Sequence, residues 1–434
     1  PPPQPERSFE PPCSCTNFGV SAITTQGEVM AKQLRMLAPE AFREHLSRRA
    51  FITGGTAAAG FAVLLTACGG SDDAATDDGG TSGEATGDYS RVINKSSGSL
   101  AMYTWGDYND PEIIGALAES ELGVSMKVDY YPSNEDLITK LAASNGNSGF
   151  DIVVPTGPYV PQMIEKGLIQ KLDMSKIPNF SNLDTAYVSR DWDPKNEYSI
   201  CKNWGSTGYF YNKTKVTRKM ETWQDFIDAC MNEGSGDCAM IDTAPNLCGM
   251  WYWANGHNWN DQDSAKLDAC EKFLVDEFAQ HIKAFDSYPS TKLAEGAYSL
   301  AMGWNGDLRQ AYVRIADAGG NPDEWVWVLG APATELWMDT YCIAAGAPNP
   351  DAAHAWINWE LVPEISIKDL QYHGYNTGMK NMDSLITELA PDLELGDMIF
   401  FTPDQVATFQ TQEITPTLDR MIDIMNKVKA KAGA

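Results

Sequence analysis

Aromatic rings and carboxylates recur side by side in this chain, and that combination is suited to binding cations. Trp105-Gly106-Asp107-Tyr108 sets two rings and a carboxylate within four residues, directly after the apolar run Leu100-Ala101-Met102-Tyr103. Trp304 stands three residues before Asp307, Trp337 two before Asp339, and Trp204 and Tyr375 each adjoin Gly and Asn. One such tryptophan is ordinarily a core residue. Several together, interleaved with Asp107, Asp307 and Asp339, fit recognition of an ammonium group. Each ring face attracts a cation by roughly 0.5–2 kcal/mol, and the carboxylates neutralise a charge that is costly to bury.

Catalytic patterns are missing by comparison. The histidines (His45, His257, His281, His354, His373) show no H-x-x-x-H spacing, and no G-x-S-x-G, P-loop or strand-linked G-x-G-x-x-G occurs. Asp191-Trp192-Asp193 and Asp261-Gln262-Asp263 lie in Pro/Asn-rich loops and read as solvated turns, and the run from Asn258 to Asp263 lacks the sixth-position Gly of an EF-hand. Neither a cofactor nor a metal is expected. The competing class is a surface enzyme using Asp307 and Asp339 as acid and base. A formal charge of −27 argues against nucleic acid or an anionic membrane surface as partner and favours a cationic ligand.

The elements that must hold these residues read as short strands alternating with helices. Strands are expected at Leu100–Thr104, Val124–Tyr131 and Asp151–Pro155, with helices at Pro111–Glu121 and Glu135–Ala143 between them. This βαβαβ order implies an α/β fold with a largely parallel sheet covered by helices. Ligands in such sheets sit at the carboxyl ends of strands. Trp105–Tyr108 and Thr156–Tyr159 both follow a strand that way. Tyr209–Tyr211, Ala239–Ile241, Ser299–Trp304 and Trp325–Leu329 are expected strands of a second α/β unit. Helices near Trp223–Met231, Asp268–Phe278 and Asp351–Leu361 intervene, and a closing helix spans Thr415–Ala430.

Residues 1–67 read as an address. Ser47-Arg48-Arg49-Ala50-Phe51-Ile52-Thr53 resembles a twin-arginine export motif, and a weakly apolar stretch follows from Gly54 to Ala67. Leu65-Thr66-Ala67-Cys68 looks like a lipobox, which makes Cys68 the expected lipid anchor. An uncleaved signal anchor is the alternative. It is disfavoured by the small residues of Gly54–Gly60, whose glycines make a poor helix. The Pro-rich residues 1–29 have no place before a leader, so Met30 or Met36 is a candidate start. Residues 68–96 are expected to be a disordered tether, since Gly69–Asp88 has no apolar side chain larger than Ala.

Six cysteines follow: Cys201, Cys230, Cys238, Cys248, Cys270 and Cys342. An even number in an exported chain favours disulfides. Cys230–Cys238 is the first expected pair by proximity, Cys248–Cys270 the second, and Cys201–Cys342 remains by elimination, with metal binding as the alternative.

From Gly98 onward the chain resembles the bacterial spermidine/putrescine-binding proteins of ABC importers. The stretches carrying this are "YTWGDY", "YPSNEDLITKL", "FDIVVPTGPYV", "WDPKNEYSICKNWG", "MGWNGD", "LWMDTYCIAAGAPNPDAAHAWINW" and "GYNTG", in order over most of the chain. The resemblance implies the two-lobed periplasmic-binding-protein fold (type II) with the ligand in the inter-lobe cleft. Lobe 1 is expected from 97–205 and 336–380, lobe 2 from 206–335 and 381–434. It further implies an aromatic box of Trp105, Tyr108, Trp304, Trp337 and Tyr375, amine acceptors at Asp107 and Asp339, a small hydroxyl at Thr156, and a C-terminal glutamine matched at Gln410 to within two residues. The partners implied are a polyamine and the permease subunits. The protein is expected to be a lipid-anchored monomer on the outer face of a bacterial plasma membrane, in the periplasm or at the cell surface. Two departures stand out. Asp242-Thr243-Ala244-Pro245-Asn246 replaces the family's D-D-x-x-E, and Pro158 stands where an aromatic is common.

Overall fold

The computed structural model describes residues 85–433. The expected leader at 1–67, the anchor Cys68 and the tether as far as residue 84 lie outside them. Residues 85–96, expected as part of the tether, are docked. Arg91 pairs with Glu364 at 3.0 Å, Ser90 Oγ donates to Asn179 Oδ1 at 2.7 Å, and Tyr89 OH donates to the Lys380 carbonyl at 3.2 Å. The small-residue composition that argues for disorder ends at Asp88, and the side chains from Tyr89 onward are long enough to reach partners.

Strands β1 (Gly98–Thr104), β2 (Val124–Tyr130) and β3 (Ile152–Val153) pair in parallel about β1, as the βαβαβ pattern requires. The helix α1 (Asn134–Ala143) starts where Ser133 accepts from the Asp136 amide at 3.1 Å. Beyond the short β4 (Ile169–Gln170) comes a long strand, β5 (Ile200–Asn212), which is buried along its whole length. Helix α2 (Trp223–Met231) opens with a capping box between Thr222 and Asp225. It leads to β6 (Cys238–Met240), helix α3 (Ala244–Ala254), β7 (Ile282–Phe285) and β8 (Leu300–Trp304). Helix α4 (Asn305–Asp317) and strand β9 (Trp325–Val328) precede the second long strand, β10 (Thr334–Ala344). Helices α5 (Pro350–Glu360), α6 (Pro363–His373) and α7 (Met382–Leu389), strand β11 (Phe409–Thr411) and helix α8 (Leu418–Ala432) complete the chain.

The sheet runs β2-β1-β3-β10-β5-β8-β6-β7. Two strands tie its halves together. The first half of β5 pairs antiparallel with β10 from Ile200 to Ser206, and the second half pairs with β8 from Thr207 to Tyr211. Three hydrophobic clusters follow this division. One gathers Leu100 and Met102 of β1, Ile152 of β3, Trp356 and Trp359 of α5 and Leu370 of α6. Another gathers Tyr209, Trp223 and Phe226, Met240, Trp253 and, from α8, Ile424 and Val428. A smaller one lies under α4, with Phe210, Leu308, Ala311 and Ile315. Leu385 and Ile386 of α7, with Leu393, Ile399 and Phe401, pack into the first cluster, although 381–434 is expected in lobe 2. An amphipathic helix carries no label of the core it will cover, so only docking decides this.

The three expected disulfides are not formed, and all six cysteines are buried free thiols. Cys230 hydrogen-bonds Cys238, and Cys270 hydrogen-bonds Cys248, so two of the expected pairs are neighbours without being bonded. Cys201 and Cys342 are kept apart by strand register. Cys201 lies opposite Thr340, while Cys342 pairs with Val153 and sits 3.7 Å from Thr340 Oγ1. Burial pushes both thiols up to about 12, so they act as small apolar packing groups.

Candidate functional site

A cleft opens where the carboxyl ends of β1, β3 and β8 face the middle of β10. Trp105 follows β1 directly; its Nε1 donates to the Val154 carbonyl at 3.0 Å and its ring meets Tyr131 edge-on at 4.6 Å. Trp304 ends β8 and is the N-cap residue of α4. The two indoles come from opposite sides of the sheet junction and stand 6.1 Å apart at 65°. Trp337 and Tyr375 pack edge to face at 4.7 Å, and Tyr108 meets Tyr375 at 5.7 Å. Gly205 of β5 lets Trp337 lie flat against the strand, since a Cβ there would collide with the indole and with Asn305. Together these rings wall a narrow cavity of about 60 Å³, which Thr156 also lines.

Four carboxylates line this space, the buried Asp307, Glu335 and Asp339 and the half-buried Glu135, and none of them has a Lys or Arg within ion-pair distance among the described residues. Asp339 accepts from Tyr108 OH at 2.6 Å. Glu335 accepts from Thr207 Oγ1 and Asn246 Nδ2, each at 2.6 Å. Asp307, in the first turn of α4, accepts a short hydrogen bond from Tyr375 OH. Burial pushes Asp307 and Glu335 up to about 7 and Asp339 up to about 6, against the opposing pull of those hydrogen bonds. The buried carboxylates are thus poised for a positive charge at ion-pair distance, which no Lys or Arg among the described residues provides.

Behind the aromatic wall lies a cation that belongs to the fold. Lys202 and Asp369 are each 2% exposed and pair at 3.0 Å. The Lys202 ammonium also donates to the Tyr108 carbonyl at 3.0 Å and sits over the Tyr108 ring at 4.4 Å. The Tyr375 amide donates to His373 Nδ1 at 2.9 Å, which leaves Nε2 to carry the proton and face Asp369 at 3.4 Å. Burial holds His373 down to about 4, so it is neutral at pH near 7. This cluster fixes the rings of Tyr108 and Tyr375 from the side away from the cavity.

Trp105, Tyr108, Thr156, Trp304, Trp337, Asp339 and Tyr375 therefore converge, and two expected site residues do not. Asp107 adopts φ = 51° and turns its carboxylate outward to Arg314 at 3.2 Å. Gln410 accepts from Trp253 Nε1 and the Trp259 amide, and Gln412, two residues on, lines the cavity instead. Among residues not foreseen, Glu335 is the most consequential. Strand alternation was the available signal: Glu335, Trp337 and Asp339 are spaced by two and share one face of β10. The departures from the family pattern also find their places. Asn246 donates to Glu335, and Tyr159, next to Pro158, lines the cavity with its hydroxyl donating to Glu135 at 2.7 Å.

A profile of bacterial extracellular solute-binding proteins matches residues 112–392. The chain belongs to this family. This solute-binding protein is 32% identical over 280 residues to the spermidine/putrescine-binding periplasmic protein of Escherichia coli K12, covering 64% of this chain and 77% of that one. It is 27% identical over 329 residues to a putrescine-binding periplasmic protein of Pseudomonas aeruginosa UCBPP-PA14, covering 72% and 88%. Among solved structures, a lipoprotein of Treponema pallidum (TpPotD) matches with a TM-score of 0.63 at 26% identity, covering 76% of this chain and 99% of that one. The fold of this solute-binding protein is accordingly the two-lobed one.

Proposed function

We propose that this chain is the solute-capturing component of an ABC importer and that its cleft takes an aliphatic di- or polyamine. The observation that carries this reading is the set of buried carboxylates, Asp307, Glu335 and Asp339, unpaired by any Lys or Arg among the described residues and placed around a slot walled by tryptophan and tyrosine. A polymethylene chain fits between the rings, while its ammonium heads meet carboxylates whose ionisation they stabilise. The relatives are in keeping: the Escherichia coli protein carries spermidine and putrescine in its name, the Pseudomonas aeruginosa one putrescine. The surface-enzyme reading loses ground, since Asp307 and Asp339 are engaged by tyrosine hydroxyls and the family is one of solute-binding proteins. The remaining parts of the reading rest on sequence: a lipid anchor at Cys68, a monomeric protein outside the plasma membrane, and delivery to permease subunits. Lobe 1 would comprise 97–205 with 336–401, and lobe 2 206–335 with 402–434, following the clusters that each stretch packs into.

Isothermal titration with putrescine, spermidine, spermine and common amino acids tests it. Amines are expected to bind and be recovered unchanged, and Asp339→Asn to cost about 2–5 kcal/mol of binding. A wild-type protein that ignores every amine yet binds a neutral or anionic solute would retain the receptor role and lose the polyamine assignment.

A further inference from the structure

The start of α3 brings no charge to the cavity. Thr243, Pro245 and Asn246 line it there, Thr243 Oγ1 donates to Asn246 Oδ1, and Asn246 stands where the family pattern carries Glu. The carboxylate at this end of the slot comes from β10 instead. Glu335 is 5% exposed, and the hydrogen bonds from Thr207 Oγ1 and Asn246 Nδ2 both go to its Oε2. No donor among the described residues reaches Oε1, which leaves that oxygen to a ligand. A carboxylate that serves only the fold looks different: both oxygens of the buried Asp193 are satisfied, by the Glu197 amide and by the amides of Tyr198 and Ser199. Asp339 lies four residues from Glu335 on the same face of β10, about 13 Å away between Cα atoms of an extended strand, with Trp337 between them. Asp307 enters from α4 with its Oδ2 held by Tyr375 OH. Glu135 is half-buried, keeps contact with water and accepts from Tyr159 OH at 2.7 Å, so it requires no counter-ion.

We propose that Glu335 makes this a three-charge site, in which a linear triamine places one ammonium at each of Asp307, Asp339 and Glu335 and is preferred to a diamine. The inference rests on the cleft-binding reading above and adds the residue that sets the number of charges. A diamine of any length leaves one buried carboxylate either unpaired or protonated, a cost that a third ammonium removes.

Spermidine and 1,8-diaminooctane separate charge from length, because their terminal nitrogens are the same number of bonds apart and only spermidine carries a nitrogen between them. In calorimetric titration at about pH 7.5, the wild-type protein binds spermidine about tenfold more tightly than either 1,8-diaminooctane or putrescine, although the octane is the more apolar. Spermine gains less than about threefold over spermidine, whereas general attraction to an acidic protein would raise affinity with each added charge. Glu335→Gln tests the charge alone, since the amide oxygen still accepts from Thr207 and Asn246. It lowers spermidine affinity about tenfold and putrescine affinity by a smaller factor, so that spermidine loses its advantage over 1,8-diaminooctane. Wild-type protein that binds putrescine or 1,8-diaminooctane as tightly as spermidine, or a Glu335→Gln variant that weakens all three by one factor, would overturn the three-charge site and leave amine binding in the cleft intact. Protein that binds none of these amines would overturn the cleft-binding reading itself, and the three-charge site with it.

Discussion

Asp307, Glu335 and Asp339 give the cleft a pH dependence whose sign is set by burial. Each has its pKa raised in the folded protein, so each favours the folded state while protonated and loses that contribution as pH rises through its folded value, about 7 for Asp307 and Glu335 and about 6 for Asp339. The ligand-free protein is therefore expected to melt higher at about pH 5.5 than at about pH 8, as read by calorimetry. Amine binding has the opposite dependence. Aliphatic ammonium groups keep their protons through this range, having an ordinary pKa of about 10.4, so only the carboxylates titrate. Affinity then falls with falling pH by up to about tenfold per unit for each carboxylate engaged. Glu335→Gln separates the two effects: it should stabilise the ligand-free protein at about pH 8, on the order of 1–3 kcal/mol, while weakening amine binding. Equal melting of this variant and wild type at that pH, with equal affinity, would mean Glu335 is not ionised in the cleft. Trp304→Ala should cost roughly 1–3 kcal/mol of binding, since it removes a ring face and leaves the carboxylates in place.

Among the elements, β5 and β10 bring the site together. Alternation along β10 places Glu335, Trp337 and Asp339 toward the ligand, and Trp204 of β5 pairs in register with Met338 on the opposite face. Lys202 of β5, paired with Asp369, also sits over the ring of Tyr341 in the carboxyl-terminal part of β10 at 5.6 Å, as well as beneath Tyr108. Lys202→Met leaves Asp369 charged and buried without its counter-ion, and burial alone would then raise the carboxyl that Lys202 now holds well below its usual range. The expected loss is about 3–5 kcal/mol of folding stability, measured by urea unfolding at pH near 7. A loss of less than about 1 kcal/mol would place the pair among weak surface-like bridges. Replacing both partners with apolar residues of similar volume should recover much of the loss, because the cost comes from the orphaned charge.

At the scale of the molecule, β5 pairs with β10 in its first half and with β8 in its second, and on the proposed division the chain crosses between lobes along β5 and returns along β10, which would set the cleft over the connecting strands. A ligand seated there touches both lobes, and its binding energy is available for closing them. Saturating ligand should raise the unfolding free energy by about 2.7 kcal/mol at a hundredfold excess over Kd. The proposed lipid anchor is a separate matter, since Cys68 lies ahead of the described residues. Cys68→Ser should shift the protein from membrane to soluble fraction without altering its melting, since a single thioether-linked lipid would be the whole attachment. Retention in the membrane fraction would instead favour the uncleaved signal anchor.

Local pattern was enough for β1, β2, α1, α2 and the order of the first parallel unit, because alternation, helical period and capping are properties of neighbouring residues. It was also enough for most of the ring set, since a tryptophan beside Gly, Asn or Asp at a strand end is visible in one dimension. Other features depended on contacts distant in sequence. Asp107 shares the composition of a ligand group, yet a positive φ and an arginine 207 residues away turn it outward. Glu335 reads as an ordinary charged residue until β10 buries it beside Asn246. Cys201 and Cys342 satisfy every counting rule for a bond and are separated by the register of β5, β10 and β3. Sequence by itself determined which residue types were available for holding a cation. Tertiary packing decided which carboxylates lost their water and stayed unpaired, because desolvation and ion pairing depend on neighbours that the chain brings together only when it folds.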